Sequence, residues 1–175
     1  FTYYGPIPIV DENLPISASD TEVRVKRRTV DESVAYIVET IDEAIVHLPA
    51  RVLSSNDLGR IDQVIAKAIK SRVLTYADSP LFNGNTEMYS GFVNDDGEHF
   101  FNQSYDQNKW DLARDASLDA ITAALENGVS LYEFTSTPPN YEDEYEEEEF
   151  IQTLYDLKYM IVDKWNSELI WGNSN

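Results

Sequence analysis

The sequence predicts a mainly α-helical fold: antiparallel helix pairs with a long irregular loop between them. Three observations carry this expectation. Apolar residues recur at helical spacing in four separate stretches. Proline and glycine punctuate the ends of those stretches. Between residues 80 and 105 the helical period disappears, and asparagine, glycine and aromatic residues take over. The pairs are expected over about 29–78 and 108–171, within one domain spanning residues 1–175.

Residues 1–28 read as an extended lead-in. Gly5, Pro6, Pro8 and Pro15 oppose a helix, and Ile7, Ile9 and Val10 are placed to lie flat on a core. Arg24, Lys26, Arg27 and Arg28 form a basic strip, either solvated and balancing nearby acids or docking an anionic partner. Thr29 and Glu32 make a T-x-x-E capping box, in which each side chain satisfies an orphan backbone N–H. Val30, Val34, Ile37, Ile41, Ala44 and Leu48 then follow at steps of four and three, and Pro49 stops the helix. His47 falls in its last turn, where an imidazole suits the negative end of the helix dipole.

A second helix is expected from about Ile61 to Asp78, with Ile65, Ala68, Ile69, Val73 and Tyr76 along one side. Ala66, Ala68 and Ala77 allow a neighbour to approach closely, and Ser79-Pro80 ends it. The irregular stretch 80–105 interleaves Phe82, Tyr89, Phe92, Phe100, Phe101 and Tyr105 with amides and glycines, with short β pieces around Gly97. Loops of that length inside a compact domain are often functional. A third helix over about Asn108–Glu126 is alanine-rich, and Asn127-Gly128 is its stop. Pro138-Pro139 precedes an acid run, Glu142–Glu149. A fourth helix begins in or just after that run, with Phe150, Leu154, Leu157 and Ile161 as its apolar face and Trp165 and Leu169 extending it.

Charge and composition exclude several functions. The 13 Lys and Arg against 32 Asp and Glu leave a formal charge of −19, which disfavours nucleic acid and anionic membrane surfaces. The absence of cysteine removes disulfides, thiol nucleophiles and cysteine-bound metals. No G-x-S-x-G, H-E-x-x-H, P-loop or G-x-G-x-x-G occurs, so an enzyme is not expected and no cofactor is assigned. Nothing picks out a pair of carboxylates for glycoside hydrolysis. Asn94-Asp95-Asp96-Gly97-Glu98 has the oxygen ligands calcium takes, but lacks EF-hand spacing; an Asp-Gly turn is the competing reading, and no metal is assigned.

The aromatic and amide mixture of the loop suits a sugar, since flat rings stack on a pyranose while amides and carboxylates bond its hydroxyls. The candidate ligand residues are Asn83, Tyr89, Phe92, Asn94, Asp95 and His99. The alternative is that these rings close the loop onto the helices.

Three stretches resemble the SusD/RagB family. They are the lead-in Tyr4-Gly5-Pro6-Ile7-Pro8-Ile9, the segment Gly59-Arg60 through Ser71-Arg72-Val73 and Tyr76 to Ser79-Pro80-Leu81-Phe82-Asn83-Gly84, and the pieces Lys109-Trp110, Gly128–Tyr132 and Glu168–Trp171. The resemblance implies a surface lipoprotein of the Bacteroidetes outer membrane, on its extracellular face. Such proteins bind a nutrient, usually a glycan and sometimes a peptide, and deliver it to a TonB-dependent SusC-like transporter. They are not enzymes, and tetratricopeptide-like helix pairs support a more irregular ligand-binding half. Family members are much longer, and this chain begins at Phe1, so it reads as an internal segment whose lipid anchor would lie upstream. Asp78 departs from the small residues common before the Ser-Pro exit. Ligand contacts vary within the family, so none is carried over. A helical-repeat adaptor that reaches a protein partner through Glu142–Glu149 is the alternative from a different class.

Overall fold

A computed structural model of the protein describes residues 2–136 and 148–172. Pro138-Pro139 and all of the acid run up to Glu147 lie outside the described residues, as does the side chain of Glu148. The elements in chain order are α1 (Val30–Ile45), α2 (Gln63–Ala77), α3 (Thr86–Tyr89), α4 (Gln107–Glu126) and α5 (Glu148–Val162). The fold is mainly α, as expected. The only β pairing among the described residues is two isolated antiparallel bridges, Pro8 with Arg27 and Val93 with His99.

The helix starts follow from local chemistry. At α1 the Thr29 side chain accepts from the Glu32 N–H, and the Glu32 carboxylate accepts from the Thr29 N–H at 2.9 Å. At α2 the cap is Asp62, whose Oδ1 accepts from the Ile65 N–H at 2.9 Å. At α4 it is Asp106, accepting from Asn108. Asn127 and Gly128 close α4, with Gly128 at φ 77° and the Val129 N–H reaching back to the Ala124 carbonyl. Helix α1 ends earlier than its apolar period suggests. Val46 is its C-cap, and His47 sits in the turn beyond, its N–H donating to the Ala44 carbonyl.

Helix α2 is the centre of the molecule. Lys70 pairs with Asp42, and the Gln63 amide donates to the carbonyls of Ile45 and Leu48, so α1 and α2 run antiparallel. On the other side Lys67 pairs with Asp119, and the Ser71 and Ser117 hydroxyls share a hydrogen bond at 2.8 Å, so α2 and α4 are also antiparallel. Two core clusters result. Val30, Val34, Leu74, Ala77, Phe82, Phe100, Phe101 and Ala113 form the larger, and Val64, Ala123 and Ala124 the smaller. Each fully buried large apolar side chain contributes roughly 1.5–3 kcal/mol.

Several expectations need correction. The third helix does not pair with the fourth: α4 packs on α2, and among the described residues α5 makes no helix–helix contact. Instead α5 is held by the segment that follows α4. Phe134 stacks on Tyr155 and Tyr159, with ring centroids 5.4 and 4.2 Å away, and the Phe134 N–H donates to Asp156 at 2.7 Å. The face of α5 that packs therefore carries Tyr155 and Tyr159. The expected face, Phe150, Leu154, Leu157 and Ile161, is exposed. Helix α5 stops at Val162, and Trp165, at φ 54°, has already left the helical region. Ile121 of α4 is likewise exposed, as is Val10 of the lead-in, while Pro6 is buried and Ile7 and Ile9 are half-buried.

The chain beyond α5 straps back across the loop before α2. Arg51 donates to the carbonyls of Leu169 and Ile170 and pairs with the buried Asp62 at 3.6 Å. The Trp171 indole N–H donates to the Gly59 carbonyl.

Candidate functional site

The loop between α2 and α4 is built from its first residues. The Ser79 hydroxyl donates to the Tyr76 carbonyl, and the N–H groups of Phe82 and Asn83 donate to the Ser79 carbonyl. This turn drops Phe82 into the core. Asn83 follows it: its Nδ2 donates to the Asp106 carbonyl and its Oδ1 accepts from the Asp106 N–H, both at 2.9 Å. Gly84 has φ 80°, and a Cβ there would lie 2.5 Å from the Tyr105 nitrogen. The exit from α2 is thus bolted to the start of α4, and only glycine fits at the crossing.

Further along, residues 92–100 form a small hairpin. The Phe100 N–H donates to the Phe92 carbonyl and the Asn94 N–H to the Glu98 carbonyl. Asn94 organises the turn. Its Oδ1 accepts from the N–H groups of Asp96 and Glu98, and its Nδ2 donates to the Glu98 carboxylate. Gly97, at φ 84°, completes it. The hairpin is tied to α1 by the Val30 N–H, which donates to the Phe100 carbonyl.

Against this geometry the six candidate ligand residues separate. Asn83 is 5% exposed with its amide oxygen and nitrogen committed to Asp106, and Tyr89 is half-buried, stacked 3.8 Å from the Phe101 ring. Both serve the scaffold rather than a ligand. Asn94 is spent on its own turn. Phe92, 40% exposed, Asp95 and His99 remain accessible on the hairpin.

Sequence reasoning singled out Lys26 and Arg27 as part of a basic strip but did not place them beside this hairpin. Lys26 and Arg27 line a shallow cavity of about 290 Å³ together with Val93, Asn94, Asp95 and Phe100. Lys26 pairs with Asp96 at 2.8 Å, and that carboxylate holds its ammonium above the ordinary lysine range. The opposite charges of residues 24–28 and 95–96 were the only signal in the sequence.

A larger concavity lies elsewhere. Helices α1 and α4 flank α2 and leave an open groove of about 840 Å³ between them. Val38, Leu74 and Ala77 make its floor apolar, and Glu39, Glu43 and Lys109 are on its walls. Lys109 crosses to pair with Asp31. Asp78, the C-cap of α2, lines the groove and is 3% exposed. Its Oδ2 has no hydrogen-bond partner among the described residues. Burial pushes its carboxyl up from 3.8 to about 6; Asp31 and Asp106 add to the rise, and Lys109 opposes it.

No family model matches the chain. No curated protein matches it either. Among solved structures, the chain is similar to BT4246, a Bacteroides thetaiotaomicron protein, with 32% sequence identity and a TM-score of 0.82. A selenomethionine form of BT4246 matches at 30% identity and a TM-score of 0.73. Both matches take in 99% of this chain but only 32% and 31% of the other, so the chain spans about a third of the length of the structures it resembles.

Proposed function

We propose that the chain is a segment of a SusD-like nutrient-binding lipoprotein on the extracellular face of the outer membrane. It contributes to binding a glycan that passes to a TonB-dependent SusC-like transporter, and it catalyses no reaction. The observation that carries this reading is the S-P-L-F-N-G exit with its flanking stretches, resembling the SusD/RagB family over most of the chain. Two further findings support it. The similarity to BT4246 covers nearly all of this chain and only a third of the other, as a segment of a much longer protein would. The hairpin also carries an exposed Phe92 ring, and Lys26, Arg27 and Asp95 line a cavity beside the same hairpin, which supplies a ring for stacking and groups for hydrogen bonding.

Affinity electrophoresis against a panel of polysaccharides and peptides tests the reading, run on this chain and on the polypeptide that contains it. Retardation by a glycan, weakened by Phe92→Ala with the fold intact, is the expected result. Retardation by a peptide alone would move the ligand class. No retardation by any member of the panel, in either form of the protein, would refute nutrient binding.

A further inference from the structure

We propose that the groove between α1 and α4 docks an amphipathic helix of a protein partner, which places an Arg or Lys side chain against Asp78. This inference stands on the groove alone and does not depend on the nutrient-binding reading.

The shape selects an elongated occupant. Asp31 and Val46 bracket the groove along α1, a span of roughly 22 Å at the helical rise. Its floor is apolar, and its two lips end in Val46 and Leu112, both exposed. An apolar trough of that length between two parallel helices fits residues presented at i, i+3, i+4 and i+7 by a third helix. A compact sugar would leave most of the floor in water.

The charges select the sign of the partner. Glu39 and Glu43 project along the α1 wall and make no ion pair among the described residues. Asp78 supplies the anchor. It is buried, its Oδ2 has no partner among the described residues, and it caps the negative end of α2, where the dipole adds to its need for a cation. The groups that face it are Lys109 and Asp106 at the start of α4 and Asp31 at the start of α1. Lys109 pairs directly with Asp31 and only partly offsets the Asp78 charge, so the Asp78 Oδ2 is left without a direct cationic partner among the described residues. A metal ion is not the occupant this arrangement suits: no cluster of three or more ligating side chains occurs among the described residues. A guanidinium or ammonium on an apolar stem satisfies both the floor and the carboxylate.

The probe is a fluorescein-labelled amphipathic helical peptide of about 15 residues. It carries leucines on one face and a single Arg in its first or last turn (two peptides). Matched peptides replace that Arg with citrulline, its neutral isostere. Fluorescence anisotropy with the whole 175-residue chain should give saturable binding at pH 7.5 for at least one Arg peptide. Its citrulline form should bind about tenfold more weakly, the difference of one charge-assisted contact. Between pH 7.5 and pH 5 the Arg peptide should lose that advantage as Asp78 takes up a proton. Asp78→Asn should abolish the Arg preference and its pH dependence, and Leu112→Asp, on an exposed lip, should abolish binding of both forms. Circular dichroism checks that each variant is folded. Absence of saturable binding, equal affinity for Arg and citrulline forms, or an Arg preference retained in Asp78→Asn would each overturn the proposal.

Discussion

Replacing Asp78 by asparagine should stabilise the protein at neutral pH, and the size of the effect follows from its surroundings. In the fold its carboxyl is raised from 3.8 to about 6, chiefly by burial. The folded protein thus holds the Asp78 proton more tightly than the unfolded chain does. The sign follows directly: this group favours folding most below about pH 4, and that contribution is lost as pH rises through about 6. At about 1.4 kcal/mol per pH unit, a shift of about two units costs at most ~3 kcal/mol above pH 6. Urea unfolding at pH 5, 6 and 7.5 measures it. Asp78→Asn should be more stable than the parent at pH 7.5 by up to that amount, and the gap should shrink by pH 5. Glu22 and Glu32 have lowered values and act in the opposite direction at more acidic pH, equally in both proteins, so they cancel in the difference. A gap that is absent at pH 7.5, or that does not narrow on acidification, would refute the reasoning that Asp78 is a desolvated, unpaired charge.

Three further outcomes follow from the loop and the strap. Asn83→Ala should cost about 2–4 kcal/mol in urea unfolding, since it removes both hydrogen bonds to Asp106 and leaves that backbone unpaired; a loss under 1 kcal/mol would mean water replaces the amide. Gly84→Ala should cost a similar ~2–4 kcal/mol, because its φ is positive and a Cβ would sit 2.5 Å from the Tyr105 nitrogen. Thermal unfolding of Gly84→Ala beside Gly97→Ala separates the two causes, since Gly97 also has positive φ but nothing within 4 Å of a Cβ. Arg51→Ala should cost about 2–3 kcal/mol by stranding the buried Asp62 and two carbonyls of the C-terminal strap. Hydrogen exchange should then rise in residues 163–172 before the helices open.

Much of the candidate loop was legible because its devices are local. The Asp-Gly turn at residues 94–98 and the exit after Ser79 each close within a few residues. The pairing of Val93 with His99 agrees with the short β piece read around Gly97. The role of Asn83 was not legible. An asparagine in an aromatic loop looks the same whether it awaits a sugar or grips a backbone 23 positions away. The contribution of Lys26 and Arg27 was hidden for the same reason, since Lys26 meets Asp96 across 70 residues.

By itself the sequence determined where α1, α2 and α4 start and where α4 stops, but not the ends of α1 and α5 or the short α3. The Thr29–Glu32 box, the Asp62 and Asp106 caps, and the Gly128 stop are satisfied by neighbours within a turn. Only the tertiary structure decided which helix faces count. Helix α2 reads as one-sided, yet of that side only Ile65 is buried and Ala68, Ile69, Val73 and Tyr76 are half-buried, while Val64, Ala66, Leu74 and Ala77 are buried because α1 and α4 close on it from two sides. Helix α5 turns Tyr155 and Tyr159 inward because Phe134 arrives from outside the helix to stack on them. The same distant neighbours bury Asp78 at the end of a groove. A backbone cap needs only residues already adjacent in the chain, whereas burial depends on which surface arrives from far along it, and no local spacing encodes that.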